Sequence, residues 1–171
     1  MRIKAITIIV LVLTLLATSV AFAKTPVHQV SGGGKWEQWE PGHVEHYGFV
    51  AHIDSDGVSS GQGNIHVVNH PTLGDFSFHF TVNCLVVDGN KAWLGFVVTK
   101  TDNDIVTPIG VDATWQLQDN GEGANAAPDL LSMVFYTSML PDLGLGNDCN
   151  DKPDLFSFGT TPWGPGNLQI R

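Results

Sequence analysis

Apolar residues along this chain recur at every second position, and no segment sustains a 3.6-residue period. Tyr47, Phe49, Ala51 and Ile53 fall on one face of a strand. Phe76, Phe78, Phe80, Val82 and Cys84 share a face of another, with Ser77, His79, Thr81 and Asn83 opposite. Val111, Ala113, Trp115 and Leu117 alternate in the same way with Asp112, Thr114, Gln116 and Gln118. The pattern predicts strands over 44–53, 61–69, 75–87, 91–100, 106–119, 130–136 and 167–171, with a short one over 28–30.

Turn chemistry separates these segments. Asp88-Gly89-Asn90 stands between two apolar runs. It is a hairpin signal because Gly and Asn tolerate the positive φ of a tight turn. Further turns fall at 54–57, 71–74 and 102–104, and a longer loop covers 120–128. One helical turn fits near 124–131, where Pro128 limits it. Short strands at even spacing predict an all-β fold: a single antiparallel β-sandwich or a small β-barrel of about eight strands. The stretch 136–165 is the least regular. It breaks the even spacing of an outer-membrane barrel, and the aromatics do not gather into two girdles.

The first 23 residues follow a different rule. Arg2 and Lys4 precede an apolar run, and Ala21-Phe22-Ala23 supplies a small-x-small cleavage pattern. Residues 1–23 are therefore expected to be a signal peptide, and residues 24–171 one all-β domain. The protein is expected to be secreted or periplasmic, with no membrane span in the mature chain. Loss of Arg2 and Lys4 takes the formal charge from −9 to −11. An acidic chain lacks the Lys and Arg clusters that nucleic-acid binding needs. Export also bears on Cys84 and Cys149, the two cysteines of the chain. In an oxidising compartment an even pair is expected to form a disulfide.

Candidate chemistry is sparse. Gly57-Val58-Ser59-Ser60-Gly61 matches the G-x-S-x-G nucleophile pattern. That motif requires a strand-to-helix turn, and here a hairpin enters a strand. Register arithmetic is more informative. A turn centred on Asp56 sets His46 opposite His66, and a turn over 71–74 sets His66 opposite His79. The three histidines form an expected outer row and a weak zinc candidate. The outer two would stand nearly ~10 Å apart, wide for ligands that must each approach zinc to about 2.1 Å. The plainer alternative is a row of solvated histidines.

Between Lys100 and Lys152 there are nine carboxylates and no basic residue. Asp148, Asn150, Asp151 and Asp154 cluster around Cys149, and Asp119, Asn120, Glu122, Asn125 and Asp129 form a second group. Calcium takes six to eight oxygen ligands. No cofactor is expected of the chain, and these loops leave calcium possible. Neither has EF-hand spacing, and Asp and Asn also serve simply as turn formers. Among five tryptophans, Trp36 and Trp39 stand beside Glu37 and Glu40 and would suit a sugar- or protein-binding face. Trp93 and Trp115 read as core. His43 and Glu45 share the inward parity of Tyr47 and Phe49. Buried beside a cavity, such a pair would favour an acid–base site; if the strand begins only at Tyr47, it would not.

Several segments recur together in a known arrangement. They are Val30-Ser31-Gly32-Gly33-Gly34, the hairpin from Cys84 to Ala92, Asp119-Asn120-Gly121-Glu122, and the closing Gly166-Asn167-Leu168-Gln169-Ile170. Together they resemble a family of small exported bacterial proteins of unknown function with a Gly-rich opening strand and a GNIQI-like closing strand. The resemblance implies an extracellular all-β domain and carries no catalytic residues. The function expected from the whole is a non-enzymatic extracellular binding or structural module with a protein or glycan partner. The competing expectation is a small-ligand β-barrel: a carrier, or a barrel-type isomerase or hydrolase. An open apolar cavity with a few polar groups would mark the second.

Overall fold

The computed structural model describes residues 26–37, 42–122, 125–146, 148–158, 160–162 and 166–171. The expected signal peptide, Trp39, Glu40 and Trp163 lie outside these residues. Among the described residues, ten strands form one antiparallel sheet: β1 (Pro26–Glu37), β2 (Val44–Asp54), β3 (Ser59–His70), β4 (Gly74–Asp88), β5 (Lys91–Thr101), β6 (Asp112–Gln118), β7 (Leu130–Ser132), β8 (Phe135–Tyr136), β9 (Thr160–Pro162) and β10 (Gly166–Ile170). Their order is β10-β1-β2-β3-β4-β5-β6-β7-β9, with β8 also pairing β6. The sheet curls into a half-barrel, which decides between the two expected all-β architectures.

The period-two pattern is the cause of the curl's filled interior. Val30, Tyr47, Phe49, Ala51, Ile65, Phe78, Phe80, Val82, Leu94, Phe96, Ala113, Trp115, Leu117 and Leu168 bury one face of the sheet in a continuous core. The curl brings together strands distant in the sheet. Tyr47 and Phe49 of β2 meet Trp115 of β6 with ring centroids 5.7 and 5.5 Å apart. Such aromatic pairs add roughly 0.5–1.5 kcal/mol beyond their burial. Phe49, Gly63 and Phe80 are direct cross-strand neighbours, and the absence of a side chain at Gly63 lets the two rings pack over it.

The opening strand is far longer than the predicted 28–30. It runs through the Ser31–Gly34 stretch, where glycines hide the alternation, and pairs both β2 and the closing strand β10. The predicted strand over 106–119 begins only at Asp112; residues 102–111 form a loop instead. The predicted strand over 130–136 divides into β7 and β8, and β9 carried no sequence signal.

The irregular segment is a second layer on the other face of the sheet. It contains 3-10 turns at Thr137–Met139, Pro141–Leu143, Cys149–Asp151 and Leu155–Phe158. The Cys84–Cys149 disulfide fastens it to β4, with Cα atoms 6.2 Å apart. Gly95 leaves the room this requires, since a Cβ there would come within 2.8 Å of the Cys84 Cβ. Trp93 donates from Nε1 to the Pro153 carbonyl at 2.8 Å. The cover explains why Thr114 and Gln116, polar positions of β6, are each only 1% exposed. Gln116 Oε1 accepts from Phe156 N at 3.1 Å, and the Thr114 and Thr137 hydroxyls lie 3.3 Å apart.

The acidic loop before β7 braces the curl. Asp119 accepts from Gly121 N at 2.7 Å and, through its other oxygen, from Ile170 N at 3.0 Å. Asp129 accepts from Asn120 N at 2.8 Å and from the Leu168 backbone. Two carboxylates thus tie β10, at one end of the strand order, to the loop between β6 and β7. Burial is the main influence raising the Asp129 pKa, with Asp119 and Glu122 adding to it.

Candidate functional site

The sequence-predicted histidine row is only half assembled. His46 faces His66 across β2 and β3 as expected, with ring centroids 6.3 Å apart. His79, however, faces Asn64, and His66 faces Ser77. The reason is local. The β3–β4 loop holds three residues between His70 and Gly74, and a bulge between Val67 and His70 adds one more on β3. Together they shift the pairing by two. Asn69 takes φ 56° at the bulge, a conformation Asn tolerates better than most residues. All three histidines are exposed.

Two of the calcium candidates, Asp148 and Asp151, serve the backbone. Asp148 Oδ1 accepts from Asn150 N at 2.7 Å, and Asp151 Oδ2 accepts from Asp148 N at 3.4 Å, a reciprocal capping box around Cys149–Asp151. Asp154 is exposed, and its carbonyl accepts from the Ser157 hydroxyl at 2.7 Å. Among the described residues no group of three or more His, Cys, Asp or Glu side chains is placed to hold a metal ion. The G-x-S-x-G serine, Ser59, lies in β3 and its Oγ accepts from Leu85 N at 3.0 Å. It is the next residue, Ser60, whose Oγ lies 2.9 Å from His52 Nε2.

Trp36 is not part of an exposed face: it is 6% exposed and points into the half-barrel. There it helps to line an apolar cavity of about 190 Å³ with Glu45, Phe76, Phe78, Phe96 and Tyr136. Val98, Val106, Thr107, Ala113, Met133 and Val134 complete the wall. The register explains the assembly. Trp36 stands opposite Glu45, Glu45 opposite Val67, and Val67 opposite Phe76, so one row crosses four strands on the inner face. A carboxylate therefore occupies an inward position in an otherwise apolar row. Because β2 begins at Val44, the inward parity of Glu45 is real.

His43 is 5% exposed, and its Nε2 lies 3.8 Å from Glu45 Oε1, whose side chain is 19% exposed. His43 also packs edge-on against His70 at 4.9 Å. Burial, with Glu45 and Asp129 adding negative charge, pushes the Tyr47 hydroxyl far above its ordinary range. Of the lining residues Met133 is the most open to solvent, at 40% exposed. Tyr136 donates its hydroxyl proton to the Val106 carbonyl, pinning the 102–111 loop against β8, and burial raises its pKa.

The other end of that loop is held by Asp102, which accepts from Ser77 N at 2.6 Å and from the Ser77 hydroxyl at 2.9 Å. These bonds, the backbone one foremost, lower the Asp102 pKa. A lowered pKa means the anchor is at full strength above the ordinary carboxylate range and is lost as pH falls through the folded value. Ser77→Ala removes one donor and is expected to raise the Asp102 pKa, read from its side-chain carbonyl NMR shift. An unchanged titration would show that the hydroxyl bond contributes nothing.

No known family model, curated protein or solved structure matches the chain. The candidate site thus stands on its own geometry.

Proposed function

We propose that the protein is an exported small-ligand-binding half-barrel of the carrier kind, the competing expectation, and that it takes a compact, largely apolar group into its cavity. The observation that carries this reading is the cavity itself: a largely aromatic and aliphatic wall with a few polar groups, Glu45, Thr107 and Tyr136, in it. At about 190 Å³ it is smaller than the ~300–1,000 Å³ of drug-sized sites, so it suits a small molecule or one end of a larger one. Elsewhere the half-barrel is filled, with Phe80, Leu94 and Leu117 at most 2% exposed. The disulfide is compatible with an extracellular or periplasmic setting. Among the described residues no helix is long and apolar enough to cross a membrane. An exported all-β module is also what the resemblance of the opening and closing strands implies.

A compact neutral probe, 3,3-dimethylbutan-1-ol, tests the reading. At ten times its Kd, one-site binding stabilises the fold by about 1.4 kcal/mol. That is a rise of roughly 3–6 °C in Tm for a chain of this size. Val134→Trp, which fills the cavity from a partly exposed wall position, is expected to abolish the rise. A rise that survives this variant would move binding elsewhere. A second reading, a barrel-type isomerase or hydrolase, is favoured by the pairing of buried His43 with half-buried Glu45, and it requires substrate to reach Glu45.

A further inference from the structure

Resting on that reading, we infer that the ligand group is a compact organic cation, a quaternary or alkylated ammonium. Five aromatic residues line the cavity: Trp36, Phe76, Phe78, Phe96 and Tyr136. Aromatic faces carry negative electrostatic potential, and cages of such rings select ammonium groups over neutral groups of equal size. Glu45 adds a carboxylate at the same wall, cross-strand from Trp36. Among the described residues neither Lys nor Arg lines the cavity. Among them, the other lining side chains able to form hydrogen bonds are the Trp36 indole, the Thr107 hydroxyl and the Tyr136 hydroxyl, and the last is already donated to Val106.

The setting strengthens the attraction. Glu45 is largely removed from water, so its field acts through a medium less screening than bulk solvent. An anionic ligand would be repelled by that carboxylate. A quaternary ammonium, with no N–H to satisfy, fits a wall of rings and one carboxylate. His43, which does not line the cavity, lies close enough to share the Glu45 charge, and the cation is held by rings and carboxylate jointly.

Choline and 3,3-dimethylbutan-1-ol have the same shape and differ in one charge. Isothermal titration of the purified, disulfide-intact protein is expected to show choline binding at least ten-fold tighter than the neutral alcohol. Glu45→Gln should remove most of that preference while leaving the alcohol's affinity within about two-fold. Equal affinity of the two probes for the unaltered protein would overturn the cation inference and leave the ligand-binding half-barrel standing. Binding of neither would overturn both. Because the comparison of probes uses the unaltered protein, it decides the question even if Glu45→Gln fails to fold.

Discussion

Replacing both Cys84 and Cys149 with serine is expected to lower the unfolding free energy by about 4 kcal/mol. The bond closes a loop over a sequence separation of 65. Chain-entropy reasoning assigns such a loop about 4 kcal/mol of stabilisation through the unfolded state. The folded state adds a local reason. Cys149 is fully buried, against the space left by Gly95, and the bond draws the 3-10 segment over Trp93, Thr114 and Gln116. Urea unfolding of the variant beside the oxidised parent checks the figure. A midpoint unchanged at constant slope would mean that the outer layer docks without the bond.

Gly63→Ala is expected to cost about 3 kcal/mol, the upper part of the overpacking range, and to lower Tm by roughly 6–12 °C. A Cβ at this position would lie 2.3 Å from Phe80 Cζ, 2.7 Å from Phe49 Cβ and 2.8 Å from the Gly48 carbonyl oxygen. A ring tip can swing; a backbone oxygen and a Cβ on the paired strand cannot. Phe80 has little freedom in any case, because it is 2% exposed and stacks on Phe96 at 4.2 Å. Thermal unfolding by circular dichroism measures the loss. A shift below 1 °C would show that the β2–β3 pair separates easily there, contrary to the packing described.

The half-barrel was legible in the sequence wherever one face of a strand is buried and the other wet. Tyr47-Phe49-Ala51 and Phe76-Phe78-Phe80-Val82 are such runs, and the β2–β3 register followed from the turn at Asp56. Legibility failed where the physics departs from simple alternation. In β1 the glycines carry no side chain to report a face, so the inward turn of Trp36 was hidden. In β6 both faces are buried, because a segment without a period of its own covers the second. The His66–His79 pairing failed at a bulge, which no hydrophobic pattern announces. Of the candidate site, the inward parity of Glu45 and His43 was readable. The cavity was not, since its wall comes from seven separate segments that only the curl and the 102–111 loop bring together.

The two ends of the strand order have a consequence for how the molecule behaves in company. A β-sheet that stops without closing offers unpaired N–H and C=O groups to any neighbouring chain. Here the terminal strands are brief: β9 has 3 residues and β10 has 5. By contrast β1, just inside β10, has 12, and its Val30 to Gly34 stretch is the part β10 covers. Asp119 and Asp129, by gripping the β10 backbone, therefore guard more than the curvature. They keep a long, glycine-rich strand from becoming a template on which copies of the chain could add to one another, and so help to keep the protein apart from itself.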